Sequence, residues 1–372
     1  MLYPIGIQNF EKIIKGGFAY VDKTDLIYDL IHNGQYYFLS RPRRFGKSLL
    51  VSTIEAYFKG EKDIFKGLKI FNLENDWAQY PILHIDFSGR SYLNTQDLYL
   101  ALDCHLSQWE CAYDINHSDK DLSSKFINII DCAFKQTGKP VVILVDEYEK
   151  PIIDNISNIP LMEEFRNILQ GFYSIIKIKD PQIRFAFFTG VTKLGKLSVF
   201  SGLNNLQDIS LDAKYNALCG IICKELRLNF KEEIKILAND NNLSLEACYD
   251  KLQKMYDGYH FHHTSEGVYN PFSLFNALSK KTFGEYWFET GTPSFLVKYL
   301  KAGNFILDDI TKDDIPLNLL TGTNYESPQP ITLMFQTGYL TIKGYNPRFN
   351  TYNLDYPNEE VKQGSQLLSV LY

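Results

Sequence analysis

Apolar positions along this chain fall into two alternating patterns. Short apolar runs at Tyr36–Leu39 and Val141–Val145 read as buried strands, the second buried on both faces of a parallel sheet, and Ile183–Phe188 is a third strand candidate. Pro81–Phe87 alternates in part, and Leu206–Leu211 is a fifth candidate strand. Between these runs the spacing turns helical. Leu49, Leu50, Ile54 and Phe58 follow the first run, and Leu161, Phe165, Ile168, Leu169 and Phe172 mark an amphipathic helix over Leu161–Ile176. Strands alternating with helices predict an α/β fold with a parallel sheet flanked by helices.

Residues 1 to about 30 read as a lead-in helix and turn, so the α/β unit spans 1–212. A mostly helical region, 213–300, follows, with helices predicted at Phe230–Ala238, Leu245–Met255, Pro271–Leu278 and Phe295–Leu300. Residues 301–372 are mixed and punctuated by Gly322, Pro328, Pro330 and Pro347, with Thr337–Lys343 and Asn350–Leu354 as a possible strand pair.

Two of the apolar runs end abruptly in charge. The first leads into Ser40-Arg41-Pro42-Arg43-Arg44-Phe45-Gly46-Lys47-Ser48-Leu49-Leu50. A strand, a loop and a helix start place unpaired backbone N–H groups and the positive end of the helix dipole at one point, which favours an anion. Arg43, Arg44, Phe45, Gly46, Lys47, Ser48 and Leu49 are the candidate phosphate cradle. Lys47 supplies a point charge for β/γ-phosphates and Ser48 a hydroxyl for magnesium. The pattern is a variant of the Walker A loop GxxxxGK[ST]: Arg41 stands at the first glycine position, and Pro42 removes a donor. Arg43 and Arg44 are read equally as phosphate contacts, partner contacts or plain exposed arginines.

The second run ends in Asp146-Glu147-Tyr148, where open α/β sheets place ligands. Two carboxylates there suit a Walker B role, with Asp146 on magnesium and Glu147 polarising the attacking water. Thr189, at the end of the Ile183–Phe188 run, is the candidate γ-phosphate sensor, with Thr192 as the alternative. The expected ligands are therefore ATP and Mg²⁺.

Composition narrows the remaining classes. The 372 residues are 45% hydrophobic and 15% aromatic, with 25 Tyr and 26 Phe, enough for a large core. A net charge of −6 disfavours broad nucleic-acid binding, leaving only a local patch or a partner for that role. The six cysteines form no C-x-x-C pair or zinc spacing. No leader or membrane-length apolar stretch is evident, so a reducing cytoplasm and no membrane are expected. His260-Phe261-His262-His263 reads as a solvated turn rather than a metal site, and no Gly-x-Ser-x-Gly elbow is present.

The chain resembles the bacterial AAA-ATPase-like family. The resemblance rests on Pro4–Phe10, Tyr20–Thr24, Ser40–Ser48, Val145–Tyr148, Phe188–Lys193, Phe200–Leu206, Tyr256–Tyr259 and Tyr286–Pro293, and it covers nearly the whole chain. It implies a P-loop NTPase core of the ASCE/AAA type, a helical lid and, in longer members, a PD-(D/E)XK nuclease-like domain that is expected to be missing here after Tyr352–Val361. The resemblance also suggests that Asp22-Lys23-Thr24 lies near the adenine, although a helix-capping role fits as well. The implied function is an ATP-dependent switch for an attached or partner effector, linked to nuclease, mobile-element or defence contexts. The alternative is a nucleotide-holding assembly module with little turnover. A homo-oligomer fits both, and Arg184, Lys193 and Lys196 are the nearby cations that could complete the site.

Overall fold

The computed structural model of the chain describes residues 1–115, 121–291, 294–302, 313–322 and 329–370. Five parallel strands form the central sheet: β1 (Tyr36–Ser40), β2 (Ile82–Asp86), β3 (Val141–Asp146), β4 (Ile183–Gly190) and β5 (Gln207–Asp208), in the order β2-β3-β4-β1-β5. Every residue of β1 and β3 is buried, as their unbroken apolar runs require. The fold is an α/β P-loop NTPase-like arrangement, with β4 between the phosphate-loop strand and the acidic strand. Leu39 pairs with Thr189, Ser40 with Gly190, and Val145 with Phe188. The C-terminal ends of β1, β3 and β4 therefore open at one edge.

Helices Lys47–Phe58, Thr95–Ala112, Leu122–Thr137 and Ile159–Ile178 flank the sheet. Local signals set their ends. Asn94 and Asp97 form a capping box, Asp121 accepts from the Ser124 amide, and Gly138 stops its helix at φ 66°. Aromatic contacts knit the layers, with Phe126 stacked on Phe172 at 4.5 Å and Phe188 against Phe200 at 4.7 Å.

The helical region carries its own apolar cluster around Leu226, Ile234, Leu252 and Leu274, with Tyr3, Ile5, Ala19 and Val21 of the lead-in packed against it. Its helices are Cys223–Asn229, Lys231–Asp240, Leu245–Tyr256 and Pro271–Lys280. The C-terminal residues instead join the main core through Trp287, Leu296, Leu320, Leu333 and Leu340. They include the helices Ser294–Ala302 and Pro330–Thr337 and an antiparallel sheet of β6 (Ile315–Pro316), β7 (Thr341–Asn346) and β8 (Thr351–Asp355), in the order β6-β8-β7.

Three boundaries differ from the pattern reading. β5 has two residues instead of six, because the Asp208 carboxylate accepts from the Ser210 amide at 3.0 Å and turns the chain out of the ladder. β7 begins at Thr341 because Thr337 ends a helix that Gly338 stops at φ 92°. Phe230 is the junction between two helices rather than the start of one. Thr292, Pro293 and Pro328 lie outside the described residues.

Candidate active site

The turn from β1 into helix Lys47–Phe58 is built on two left-handed residues, Arg44 at φ 68° and Gly46 at φ 95°. Gly46 is the helix N-cap, and no side chain caps that helix, so its first amides are available to an anion. Above them opens a cavity of about 350 Å³ lined by Gly6, Arg43, Arg44, Lys47, Ser48, Leu49, Glu147 and Phe272, among others. That size lies within the range of small-molecule sites. A smaller apolar pocket of about 90 Å³ adjoins it, lined by Tyr20, Val21, Lys23, Phe45, Leu49, Leu218 and Ile221. The two share Pro4, Gly46, Leu49, Pro271 and Phe275.

The individual loop side chains divide sharply in role. Lys47 is buried, and its Nζ donates to the carbonyls of Arg41 at 3.0 Å and Pro42 at 3.1 Å. Burial pushes its ammonium below the usual lysine value, while Asp146, Glu147 and Glu149 pull it back up. The phosphate loop and the acidic strand end are thus within electrostatic reach of each other. Phe45 turns away from the cavity, edge-on to Tyr259 at 4.8 Å and Phe261 at 5.7 Å. Arg44 lies over the Phe272 ring at 4.8 Å. The Arg43 carbonyl accepts from the Trp287 indole N–H at 3.1 Å.

At the acidic end, the Thr189 hydroxyl donates to Asp146 Oδ1 at 2.6 Å, and the Glu147 amide reaches the same oxygen at 3.0 Å. Glu147 sits at φ 53°, a left-handed conformation that costs a non-glycine residue of order 1–3 kcal/mol. It lines the cavity, and burial raises its pKa against the opposing pull of Lys47. Thr192, the alternative sensor, caps its own turn by accepting from the Leu194 amide at 3.3 Å.

Other candidates resolve differently. Arg184 lies at the start of β4, the end opposite Thr189, and donates to the Ile31 carbonyl at 3.4 Å. It does not complete the site, because β4 carries it to the far edge of the sheet. Lys193 and Lys196 both pair with Asp208, at 2.8 and 2.6 Å, which holds that carboxyl well below its ordinary range. Both readings of Asp22-Lys23-Thr24 have a structural counterpart. Asp22 Oδ1 accepts from the Thr24 amide at 2.9 Å, and Lys23 lines the apolar pocket while pairing with Glu225 at 2.5 Å. His260 and His262 bond within their own turn, to the Ser265 carbonyl and the Thr264 hydroxyl.

The sequence reading missed the role of Arg41 and did not name Glu149 or Gln336 at all. Arg41 is a buried strut: its guanidinium donates to the Ser40, Ser210 and Tyr215 carbonyls at 2.9, 2.7 and 3.1 Å. It also lies 3.8 Å from the Phe261 ring centroid, and burial pushes its pKa down to about 10. Glu149 is buried and accepts from the amides of Val191 at 2.6 Å and Thr192 at 2.9 Å. Gln336 accepts from the Lys193 amide at 2.8 Å. Proximity to Asp146 was the available signal for Glu149; nothing local marks Gln336.

The sequence model for the predicted AAA-ATPase family (AAA-ATPase-like) matches residues 4–200, more than half of the chain. The chain belongs to this AAA-ATPase-like family. The matched segment contains β1 to β4 and all the candidate catalytic residues. The chain is also 41% identical over 369 residues to a protein of Azotobacter chroococcum mcd 1 described as uncharacterized and lying in the vnfD 5′ region. That match covers 96% of this chain and 68% of the relative. AAA-ATPase-like membership carries nucleotide binding as the expected property. No described helix is long and apolar enough to cross a membrane.

Proposed function

We propose that this AAA-ATPase-like protein binds and hydrolyses ATP with magnesium and acts as a switch, passing its nucleotide state to an attached or partner effector. The single observation that carries the reading is the convergence of Lys47 and the uncapped helix start with Asp146, Glu147 and Thr189 at one sheet edge. The triphosphate would lie in the cavity over Gly46–Leu49, and the base in the adjoining apolar pocket. Phosphate oxygens would take over the Lys47 donors now given to Arg41 and Pro42. Ser48 and Asp146 offer the hard oxygen donors that magnesium requires and are the residues that would hold it. Bound there, the ion would neutralise charge on the phosphates. Glu147 would orient and polarise the attacking water, and Thr189 would hold the Asp146 carboxylate in position.

A second reading has its own support. The engagement of Lys47 by its own loop carbonyls suits a module that holds nucleotide and turns it over little. Phosphate release and calorimetric titration of ATP with magnesium separate the two. In a hydrolysing switch, Lys47→Ala weakens ATP binding at least tenfold, whereas Glu147→Gln binds normally and stops turnover. An assembly module gives equal inertness in wild type and both variants while ATP still raises Tm.

A further inference from the structure

The turn that follows β4 has connections in four directions. The Thr189 hydroxyl bonds Asp146 at 2.6 Å, and the Thr189 carbonyl accepts from the Tyr148 amide at 3.1 Å. The Gly190 carbonyl accepts from the amide of Arg41 in the phosphate loop at 3.1 Å. The next three amides then point at buried side-chain oxygens. Val191 and Thr192 donate to Glu149, and Lys193 donates to Gln336. Gln336 is on the C-terminal helix Pro330–Thr337, and its amide group donates in turn to the Leu320 carbonyl at 3.0 Å.

Glu149 is held close against the strand end. A β-carbon on Gly190 would overlap Glu149 Oε2, so only glycine lets the carboxyl group come this close to the strand end. All the partners are buried, where an unanswered amide is costly. Thr189 sits in the ladder opposite Leu39, and the turn held by Glu149 and Gln336 continues directly from it. One of its two holders belongs to a region more than a hundred residues further along the chain.

We propose that Glu149 and Gln336 are positioning residues that jointly set this turn, and that Gln336 makes the sensor geometry depend on the C-terminal region. The inference rests on the ATPase reading above and names the route by which nucleotide state reaches the rest of the chain. Gln336 touches no reacting atom; it acts through Lys193, Gly190 and Thr189. Linkage makes the route reciprocal: what the nucleotide does to the turn, a partner held on the C-terminal region does to the nucleotide.

The test uses the full chain with Gln336→Met, which keeps length and loses the acceptor, and Gln336→Glu, which restores the acceptor for Lys193 while giving up the donor to Leu320. We expect Gln336→Met to bind ATP within about twofold of wild type while kcat falls five- to tenfold, and Gln336→Glu to recover most of that loss. Hydrogen exchange supplies the second readout. In wild type, exchange at the 191–194 and 330–337 amides should differ between a non-hydrolysable ATP analogue and ADP, and in Gln336→Met the 330–337 difference should vanish. Unchanged kcat with an unchanged exchange difference overturns the proposal. So does a kcat loss in Gln336→Met that leaves the 330–337 exchange difference as in wild type, which would mark a packing role. A wild-type protein that neither binds nor hydrolyses ATP overturns the ATPase reading itself and removes this inference with it. Wild-type turnover with an indifferent Gln336 removes only the inference.

Discussion

Arg41 shows how a single residue can look like a defect and act as a support. At the position where the usual loop has glycine, its guanidinium ties β1 to the carbonyls of Ser210 and Tyr215 and stacks on Phe261. Restoring the common pattern with Arg41→Gly should therefore destabilise the protein by about 3–5 kcal/mol, because three buried carbonyls lose a charged donor and a cavity opens. Thermal or urea unfolding measures this. Glu149 yields a prediction in pH. Burial raises its pKa from 4.5 to about 7. Between those values the unfolded chain has released a proton that the folded chain keeps, so stability falls as pH rises through the window. The slope contributed is at most about 1.4 kcal/mol per pH unit. Urea midpoints of wild type and Glu149→Gln should diverge in slope between pH 5 and 7, and parallel curves would reassign the residue's protonation.

At the scale of elements, apolar patterning located all five strands of the sheet and the helices Lys47–Phe58 and Ile159–Ile178, but it left the flanking helices Thr95–Ala112 and Leu122–Thr137 unassigned. Pattern failed where a side chain overrode propensity. Asp208 ends β5 early by bonding the Ser210 amide, and the segment before β7 is helical up to Gly338 although Thr337–Leu340 suit a strand. Gly338 does double duty: it takes φ 92°, and a β-carbon there would come within 2.8 Å of Pro42 in the phosphate loop. Gly338→Ala should accordingly cost about 1–3 kcal/mol and weaken ATP binding together. Melting and calorimetric titration of the one variant check both parts. Loss of stability alone would show that the loop does not lean on this helix end.

Across the whole molecule, the candidate site is a seam between three parts of the chain. The lead-in and the helical region wall the apolar pocket, clasped by Lys23 and Glu225. The C-terminal region reaches the phosphate loop through Trp287 and Arg43. Trp287 is one of 3 tryptophans in the chain, and it is the one bonded to the loop that must rearrange when phosphate replaces the Arg41 and Pro42 carbonyls on Lys47. Its emission should shift on adding ATP with magnesium. Trp287→Phe should abolish the shift and lower affinity no more than about fivefold, as loss of one neutral hydrogen bond would. A shift that persists in the variant would assign it to Trp77 or Trp109.

By itself, the sequence determined the core strands β1 to β4, a helix beginning beside the Gly46-Lys47-Ser48 loop and the residue types at both charged run ends. These are local matters of periodicity, dipole and spacing, and family membership follows from the same stretches. The tertiary structure alone decided that Arg41 braces the loop and that Glu149 and Gln336 hold one and the same turn. Burial and hydrogen-bond partners between residues distant in the chain have no period and no motif, so they become visible only when the elements are packed together.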